Sequence, residues 1–237
     1  MSIVIIDSGV GGSSVYQKVK KLLPQQNYIY FCDNLHFPYG ERSVMELQQI
    51  AKQNIDYLIN NYQVSCFVLA CNTITACAID CLRSTYLDYS FVGTEPPIKQ
   101  ALEYTANNCL VASTRATALS QRLKERFNQD NVKFVAFDKL ASMVECQEPS
   151  KNISRYINSV LEKQDYNFDC VALGCTHFLL CKYEFSQAFI GEVFDGSLGV
   201  ASRVKQLVGK ARQEFACSVI LTKHDDNKYN QIVKLLQ

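Results

Sequence analysis

Short apolar runs alternate with amphipathic stretches along almost the whole chain. A run of four to eight apolar residues is typical of a strand in a parallel sheet, and a longer amphipathic stretch is typical of a helix. Regular alternation of the two predicts a parallel sheet covered by helices. The predicted strands are 2–6, 28–32, 67–70, 89–92, 109–112, 132–136, 170–173, 192–194 and 216–221. The clearest predicted helices are 13–23, 43–60, 153–163, 198–210 and 229–236.

The double proline Pro96-Pro97 is the best candidate for a domain boundary. It divides the chain into two halves, and each half contains an apolar strand that ends in a cysteine. We therefore expect an α/β protein of two similar lobes, each with a parallel sheet, and a substrate cleft between them. The first lobe is predicted to span 1–96, with 208–237 returning to it, and the second to span 97–207.

Two of the eleven cysteines stand at the ends of these strands. Cys71 is followed by Asn72-Thr73, and Cys175 by Thr176-His177. In open α/β sheets, ligands bind at the carboxyl ends of the strands. Both thiols are also predicted at helix N-termini, where the helix dipole favours negative charge. For Cys175, a charged His177 two residues away further favours the thiolate. These two cysteines are therefore predicted to face one substrate from opposite sides.

The N-terminal turn after the first strand combines an acidic residue with glycines. Asp7 ends the strand, and the glycines at 9, 11 and 12 lack the third glycine of a dinucleotide fingerprint and the lysine of a P-loop. Such a turn can still offer backbone N–H groups to a substrate carboxylate. Asp7 beside Ser8 is predicted either to shape this turn or to assist a proton transfer.

Composition narrows the class of protein. The chain has 237 residues and a formal net charge of +1, so its charge does not indicate a nucleic-acid or membrane partner. Met1 begins a short apolar stretch without a basic region, so we expect no secretory signal, a cytoplasmic location and reduced thiols.

His36 and His224 are interpreted as solvated surface residues. With no C-x-x-C pair, no metal site is predicted, and eight further cysteines are interpreted as small buried hydrophobes: Cys66, Cys77, Cys81, Cys109, Cys146, Cys170, Cys181 and Cys217.

Four stretches resemble the cofactor-independent glutamate racemases of the aspartate/glutamate racemase superfamily. They are Ile6-Asp7-Ser8-Gly9-Val10-Gly11-Gly12, Phe37-Pro38-Tyr39-Gly40-Glu41, Ala70-Cys71-Asn72-Thr73 and Leu173-Gly174-Cys175-Thr176-His177-Phe178. The set is highly specific, although any one stretch alone is not. The chain departs from the usual family pattern at Ser13, Thr94, Leu179 and Asp195-Gly196-Ser197.

The resemblance implies a reaction and a set of roles. It implies no cofactor, a glutamate substrate between two lobes, and D-glutamate production for peptidoglycan synthesis. By analogy, Cys71 deprotonates the D-isomer with help from Asp7, and Cys175 deprotonates the L-isomer with help from His177. Glu145 aligns less securely with a glutamate that supports this histidine. The implied substrate-binding residues are Asp7, Ser8, Asn72, Thr73, Thr117, Thr176 and His177 around the α-carboxylate and ammonium, and Pro38, Tyr39 and Gly40 around the side-chain carboxylate.

Other interpretations stay open on sequence alone. A sister racemase acting on aspartate or another acidic substrate shares most of these motifs, and the Pro38-Tyr39-Gly40 stretch favours glutamate. A redox or metal-binding protein would use the cysteines differently, and a non-catalytic binding protein would not need Cys71 and Cys175. A homodimer is one of the assemblies that the sequence allows.

Overall fold

The computed structural model describes residues 1–105, 107–165, 167–189, 191–209, 217–222 and 226–236. The strands are β1 (Ser2–Asp7), β2 (Asn27–Cys32), β3 (Val64–Leu69), β4 (Phe91–Gly93), β5 (Cys109–Ser113), β6 (Val132–Ala136), β7 (Cys170–Gly174), β8 (Glu192–Phe194) and β9 (Ser218–Thr222). The helices are α1 (Ser13–Leu22), α2 (Val44–Asn61), α3 (Asn72–Thr85), α4 (Ile98–Tyr104), α5 (Arg115–Ala118), α6 (Gln121–Arg126), α7 (Leu140–Glu145), α8 (Ser150–Leu161), α9 (Thr176–Leu180), α10 (Lys182–Ala188), α11 (Ser197–Val208) and α12 (Asp226–Leu236).

Two separate parallel sheets organise the molecule, which confirms the predicted fold class. The first has strand order β4-β3-β1-β2-β9, and the second has order β6-β5-β7-β8. Every strand pair is parallel. We call the five-stranded sheet with its helices the first lobe, and the four-stranded sheet with its helices the second lobe.

The chain returns to the first sheet near its end, where β9 pairs with β2 in the register Tyr28 to Ser218. Two late helices also pack on the first lobe. Val204 of α11 and Ile232 of α12 are fully buried in the same apolar cluster as Val15 of α1. The expected lobe boundary at residue 207 therefore falls inside α11, a helix whose buried face belongs with the first lobe.

Local sequence signals predicted the bounds of some helices and strands accurately and those of others less accurately. Ser43 accepts from the Glu46 backbone N–H, and the Glu46 side chain accepts from the Ser43 backbone N–H, so a capping box begins α2. The strand predicted at 89–92 begins instead at Phe91. The strand predicted at 216–221 is β9, and residue 216 lies outside the described residues, as does residue 210 at the predicted end of α11.

The interpretation of the cysteines as buried hydrophobes holds for most of them but was wrong for two. Cys66, Cys77, Cys109, Cys170 and Cys181 are buried, and Cys81 is half-buried. Cys146 and Cys217, however, are exposed. Cys146 follows the last residue of α7, and Cys217 immediately precedes β9, so neither lies on a buried face.

Candidate active site

The two predicted thiols occupy equivalent places in the two lobes. Cys71 caps the N-terminus of α3 just after β3, and Cys175 caps the N-terminus of α9 just after β7. Both are buried, and both line one small cavity between the lobes, together with Ser8, Tyr39, Thr73, Thr114 and His177. A parallel strand followed by a helix thus delivers each thiol to the carboxyl edge of its sheet.

The cavity between the thiols is nearly closed. Its volume is about 20 Å³, which is enough for about one water molecule. The cavity as it stands is too small for a substrate as large as an amino acid, so the residues around it must move to admit one. The structure therefore represents a closed arrangement of the two lobes.

Asp7 is a fully buried carboxylate at the end of β1. Its Oδ1 accepts from the Gly9 backbone N–H at 2.9 Å, and its Oδ2 accepts from the Thr176 hydroxyl at 3.0 Å. Burial raises the pKa of Asp7 to about 6, against the opposing effect of the His177 charge. A carboxyl group with this pKa can take up or release a proton near neutral pH.

The Cys71 thiol is held in its protonated form. Burial raises its pKa well above the usual range, and the nearby Asp7 carboxylate adds to the effect. Hydrogen bonds from the Ile74 and Thr73 backbone N–H groups, at the start of α3, oppose the increase without reversing it. In this closed arrangement, Cys71 is therefore ready to donate a proton.

His177 and Glu145 form a buried pair beside Cys175. Their Nε2 and Oε2 atoms lie 2.6 Å apart. Burial lowers the pKa of His177, but hydrogen bonds with Cys175 and Glu145 outweigh burial and raise it well above the ordinary value. Its hydrogen bonds with Glu145 and Cys175 therefore favour the protonated form of His177 and place it in contact with the Cys175 thiol.

Glu145 also receives contacts from the first lobe. The Val10 backbone N–H donates to its Oε2 at 3.0 Å, and Lys228 Nζ lies 2.5 Å from its Oε1. Burial raises the pKa of Glu145, but His177, Lys228 and the Val10 N–H lower it to about 2. Glu145 is thus a second-lobe carboxylate whose negative charge is stabilised by groups from both lobes.

Of the ten predicted substrate-binding residues, six line the cavity and four do not. The lining residues are Ser8, Pro38, Tyr39, Gly40, Thr73 and His177, and the others are Asp7, Asn72, Thr117 and Thr176. Thr73 of the first lobe shares hydrogen bonds with Thr114 at 2.9 Å and with Thr117 at 3.3 Å in the second. Asn72 donates through Nδ2 to the Thr94 carbonyl, and its buried Oδ1 has no hydrogen-bond partner among the described residues. Ser8 is buried and lines the cavity.

Tyr39 lines the cavity, and its hydroxyl is engaged by a buried carboxylate. Its hydroxyl donates to Asp33 Oδ2 at 2.6 Å, and Asn54 Nδ2 donates to the same oxygen at 2.9 Å. Pro38 and Gly40 also line the cavity. A Cβ on Gly40 would lie 2.8 Å from Thr114 Cβ, so a glycine is needed there for the loop to approach the second lobe.

The residues of the site that were not predicted include Thr114, Lys228 and Asp33. A signal existed for Thr114, because it lies in the Ser113-Thr114-Arg115-Ala116-Thr117 stretch that follows a predicted strand. No local pattern marks Lys228 or Asp33. His36, interpreted as a surface residue, is partly exposed: 25% of its side chain is exposed, and its Nδ1 lies 2.9 Å from Asp33 Oδ1. His224 lies outside the described residues.

Neither a membrane-spanning helix nor a metal-binding cluster is present in the described part of the chain. No helix there has the length and apolar character needed to cross a membrane. Within the same residues, no three or more His, Cys, Asp or Glu side chains are grouped so as to hold a metal ion.

Comparison with known proteins identifies close relatives, although no family model matches the chain. The chain is 33% identical over 219 residues to a glutamate racemase of Clostridium novyi, covering 87% of this chain and 83% of that protein. It is 33% identical over 215 residues to one from Vibrio cholerae, covering 87% and 80%. It is also 31% identical over 228 residues to glutamate racemase 2 of Bacillus subtilis, covering 90% and 84%.

Solved structures agree with the sequence comparison. The Escherichia coli glutamate racemase, solved in complex with L-glutamate and the activator UDP-MurNAc-ala, superposes with a TM-score of 0.86 at 27% identity, covering all of this chain and 94% of that one. The glutamate racemase of Aquifex pyrophilus superposes with a TM-score of 0.81 at 25% identity, covering 100% and 95%. The chain belongs to the glutamate racemase family of isomerases.

Proposed function

We propose that this racemase interconverts L- and D-glutamate with Cys71 and Cys175 as acid and base on opposite faces of the α-carbon. One observation carries the proposal: both buried thiols line the same cavity, and each comes from a different lobe. Inversion at carbon requires a proton to leave one face and another to arrive at the opposite face. Thiols from opposing lobes meet this requirement.

The raised pKa of Cys71 supports an assignment for one direction of the reaction. With L-glutamate bound, the Cys175 thiolate takes the α-proton, and the Cys71 thiol donates its own proton to the other face. The raised pKa of Cys71 suits this donation. With D-glutamate the two roles are exchanged. After each turnover the starting protonation states of the two thiols must be restored. Asp7 beside Cys71 and His177 beside Cys175 can carry the protons that this requires.

Removing the α-proton is the difficult step, because an amino-acid α-hydrogen is far less acidic than a thiol. Stabilising the resulting carbanion-like transition state needs fixed donors around the α-carboxylate in a dry cleft. We assign the α-carboxylate and ammonium to Ser8, Asn72, Thr73, Thr117 and Thr176. The bonds of Thr73 to Thr114 and Thr117 would be exchanged for bonds to the substrate. The unpartnered Asn72 Oδ1 suits the ammonium.

The loop at Pro38-Tyr39-Gly40 is proposed to receive the side-chain carboxylate. Since the Tyr39 hydroxyl is bonded to Asp33, the donors we propose are backbone N–H groups of this loop. Pro38 shapes the loop but has no N–H to donate. A position set by the backbone fits a substrate of fixed length, so it favours glutamate over the shorter aspartate.

The cellular setting follows from the family. We propose that the enzyme acts in the cytoplasm on free glutamate, without a nucleic-acid or membrane partner, and supplies D-glutamate for peptidoglycan synthesis. We also propose that the first lobe, 1–96, resumes at α11, because α11 is buried in the apolar cluster of that lobe and β9 joins its sheet. A homodimer stays a prediction.

A racemisation assay tests the proposal. L- and D-glutamate, with L-aspartate in parallel, are followed by circular dichroism with the wild-type enzyme and the Cys71→Ala and Cys175→Ala variants. We expect the wild type to invert both glutamate isomers much faster than aspartate. Each variant should lose activity by about 100-fold to 10,000-fold, the usual contribution of a general acid or base.

Cys77→Ala is the matched control, because Cys77 is another buried thiol on α3. It should racemise glutamate at close to the wild-type rate. Wild-type rates in either Cys71→Ala or Cys175→Ala would refute the two-thiol mechanism, and faster inversion of aspartate than of glutamate would refute the substrate.

A further inference from the structure

The C-terminal helix reaches across the lobe interface to Glu145. Lys228 Nζ of α12 lies 2.5 Å from Glu145 Oε1, and Gln231 Nε2 donates to the Glu145 backbone carbonyl at 3.2 Å. Lys228 Nζ also donates to Gln231 Oε1 at 2.9 Å. Ile232 buries α12 in the apolar cluster of the first lobe. The two polar residues on one turn of α12 therefore hold the side chain and the backbone of a residue in the second lobe.

The position of Lys228 suggests a role beyond packing. Glu145 uses Oε2 for His177 and the Val10 N–H, which leaves Oε1 facing Lys228. Only 6% of the Glu145 side chain and 13% of the Lys228 side chain are exposed. A buried carboxylate is very unfavourable without a nearby positive charge. If His177 gives up its proton during turnover, Lys228 is the positive charge that stays beside Glu145.

We propose that Lys228 is a positioning residue for racemisation, which keeps Glu145 ionised and aligned on His177 while His177 exchanges protons with Cys175. The inference rests on the proposed two-thiol function, and it adds a residue from the C-terminal helix to that mechanism. Lys228 does not line the cavity between the thiols, so it acts through Glu145 and His177.

Lys228 also links the proton exchange to lobe closure. Glu145 belongs to the second lobe, whereas Val10 and Lys228 belong to the first, and separating the lobes to admit substrate lengthens both contacts. His177 would then be fully supported by an ionised, fixed Glu145 only after the lobes close on the substrate.

The proposal predicts the direction in which the pKa of His177 changes when the charge of Lys228 is removed. Without that positive charge, Glu145 attracts the His177 proton more strongly, so the pKa of His177 rises. Damage to local structure has the opposite effect, because it returns the pKa of His177 towards its ordinary lower value. The titratable and charged groups around this pair are Asp7 on β1, Tyr30 and Cys32 on β2, Cys175 and Cys181 at the ends of α9, and Lys228 on α12.

The test compares the single variants Lys228→Met, Lys228→Gln and Lys228→Arg with Lys234→Met. Lys234 is an exposed lysine on the same helix, so its variant controls for the loss of one charge from α12. Lys228→Gln keeps a hydrogen-bond donor without the charge, which covers the case in which Lys228→Met does not fold. The chain has three histidines, so nuclear magnetic resonance with a His177→Gln reference can assign the imidazole signal of His177.

We expect Lys228→Met and Lys228→Gln to lower kcat/KM by about 10-fold to 100-fold. Losses of this size are found in metalloproteins when a residue that orients a metal-binding histidine is replaced. The loss must be equal in both directions, because the two enantiomers have equal free energies. Lys228→Arg should recover most of the activity, and Lys234→Met should retain it. His177 should stay protonated to at least as high a pH as in the wild type.

Three results would overturn the proposal. The first is wild-type activity in Lys228→Met or Lys228→Gln, and the second is no recovery in Lys228→Arg. The third is loss of the His177 proton at a lower pH than in the wild type, which would indicate a merely structural role. If the wild-type protein itself does not racemise glutamate, the proposed function fails instead.

Discussion

Asp7 of the first lobe accepts a hydrogen bond from the Thr176 hydroxyl of the second lobe, with 3.0 Å between Oδ2 and Oγ1. Thr176 directly follows Cys175, and the Asp7 charge acts on the Cys71 thiol. Asp7, the carboxylate assigned to Cys71, is therefore hydrogen-bonded to Thr176, the residue next to Cys175. This hydrogen bond connects the surroundings of Cys71 with those of Cys175 across the lobe interface.

The first prediction concerns the stability of the substrate-free protein at different pH values. Burial raises the pKa of Asp7 from 3.8 to about 6, so between these values the folded protein binds more protons at Asp7 than the unfolded chain does. Asp7 therefore favours folding at low pH, and this contribution is lost as the pH rises through about 6. A pKa change of this size corresponds to about 3 kcal/mol.

Urea unfolding of the wild type and of Asp7→Asn measures this contribution. From about pH 4 to about pH 7, the free energy of unfolding of the wild type should fall relative to that of Asp7→Asn by about 2 kcal/mol. A constant difference between the two proteins across this range would show that Asp7 is not a buried group with a raised pKa.

The second prediction concerns the close approach of Gly11 to the second lobe. A Cβ on Gly11 would lie 2.6 Å from the His177 backbone nitrogen and 2.7 Å from Thr176 Oγ1. Gly11→Ala therefore forces the lobes apart at the site. We expect kcat/KM to fall by about 100-fold, since misplacement of reacting groups by about 1 Å has effects of this size.

Gly199→Ala is the control for that substitution. A Cβ on Gly199 would meet nothing within 4 Å, and the residue lies within α11. Its variant should keep full activity and gain about 0.5–1 kcal/mol of stability from helix propensity. Steady-state kinetics with thermal unfolding of both variants gives the comparison, and full activity in Gly11→Ala would contradict the close-approach argument.

The third prediction separates two roles for Tyr39. Its hydroxyl is a buried donor to Asp33, so Tyr39→Phe should lower the free energy of unfolding by about 1–3 kcal/mol. Because the hydroxyl is already bonded to Asp33, KM for glutamate should stay close to the wild-type value. A large increase in KM with unchanged stability would mean that the hydroxyl itself binds the substrate.

Much of the fold and the positions of both thiols could be predicted from the sequence, because the signals are local. Buried parallel strands give continuous apolar runs, and ligand sites follow their carboxyl ends. Cys71 and Cys175 could therefore be placed at two strand ends, and Ser43 at the start of α2, without knowledge of the tertiary structure.

The contacts between the lobes could not be predicted in this way. Val10 and Glu145 are 135 residues apart, and no local periodicity links a turn in one lobe with a helix end in the other. Lys228 would be taken for an ordinary surface charge on an amphipathic helix, although it pairs with Glu145. The exposure of Cys146 and Cys217 depends in the same way on how elements pack, not on residue type.

The position of deuterium in the first product molecules tests the two-thiol mechanism most directly. L-glutamate with ordinary hydrogen at the α-carbon is converted in deuterium oxide, the reaction is stopped after a small fraction has turned over, and the separated isomers are analysed by mass spectrometry. If Cys175 removes the proton and Cys71 delivers a different one, nearly every D-glutamate molecule will carry deuterium, while most of the remaining L-glutamate keeps its hydrogen. D-glutamate that retains the original hydrogen would show that a single group serves both faces, which would contradict the mechanism.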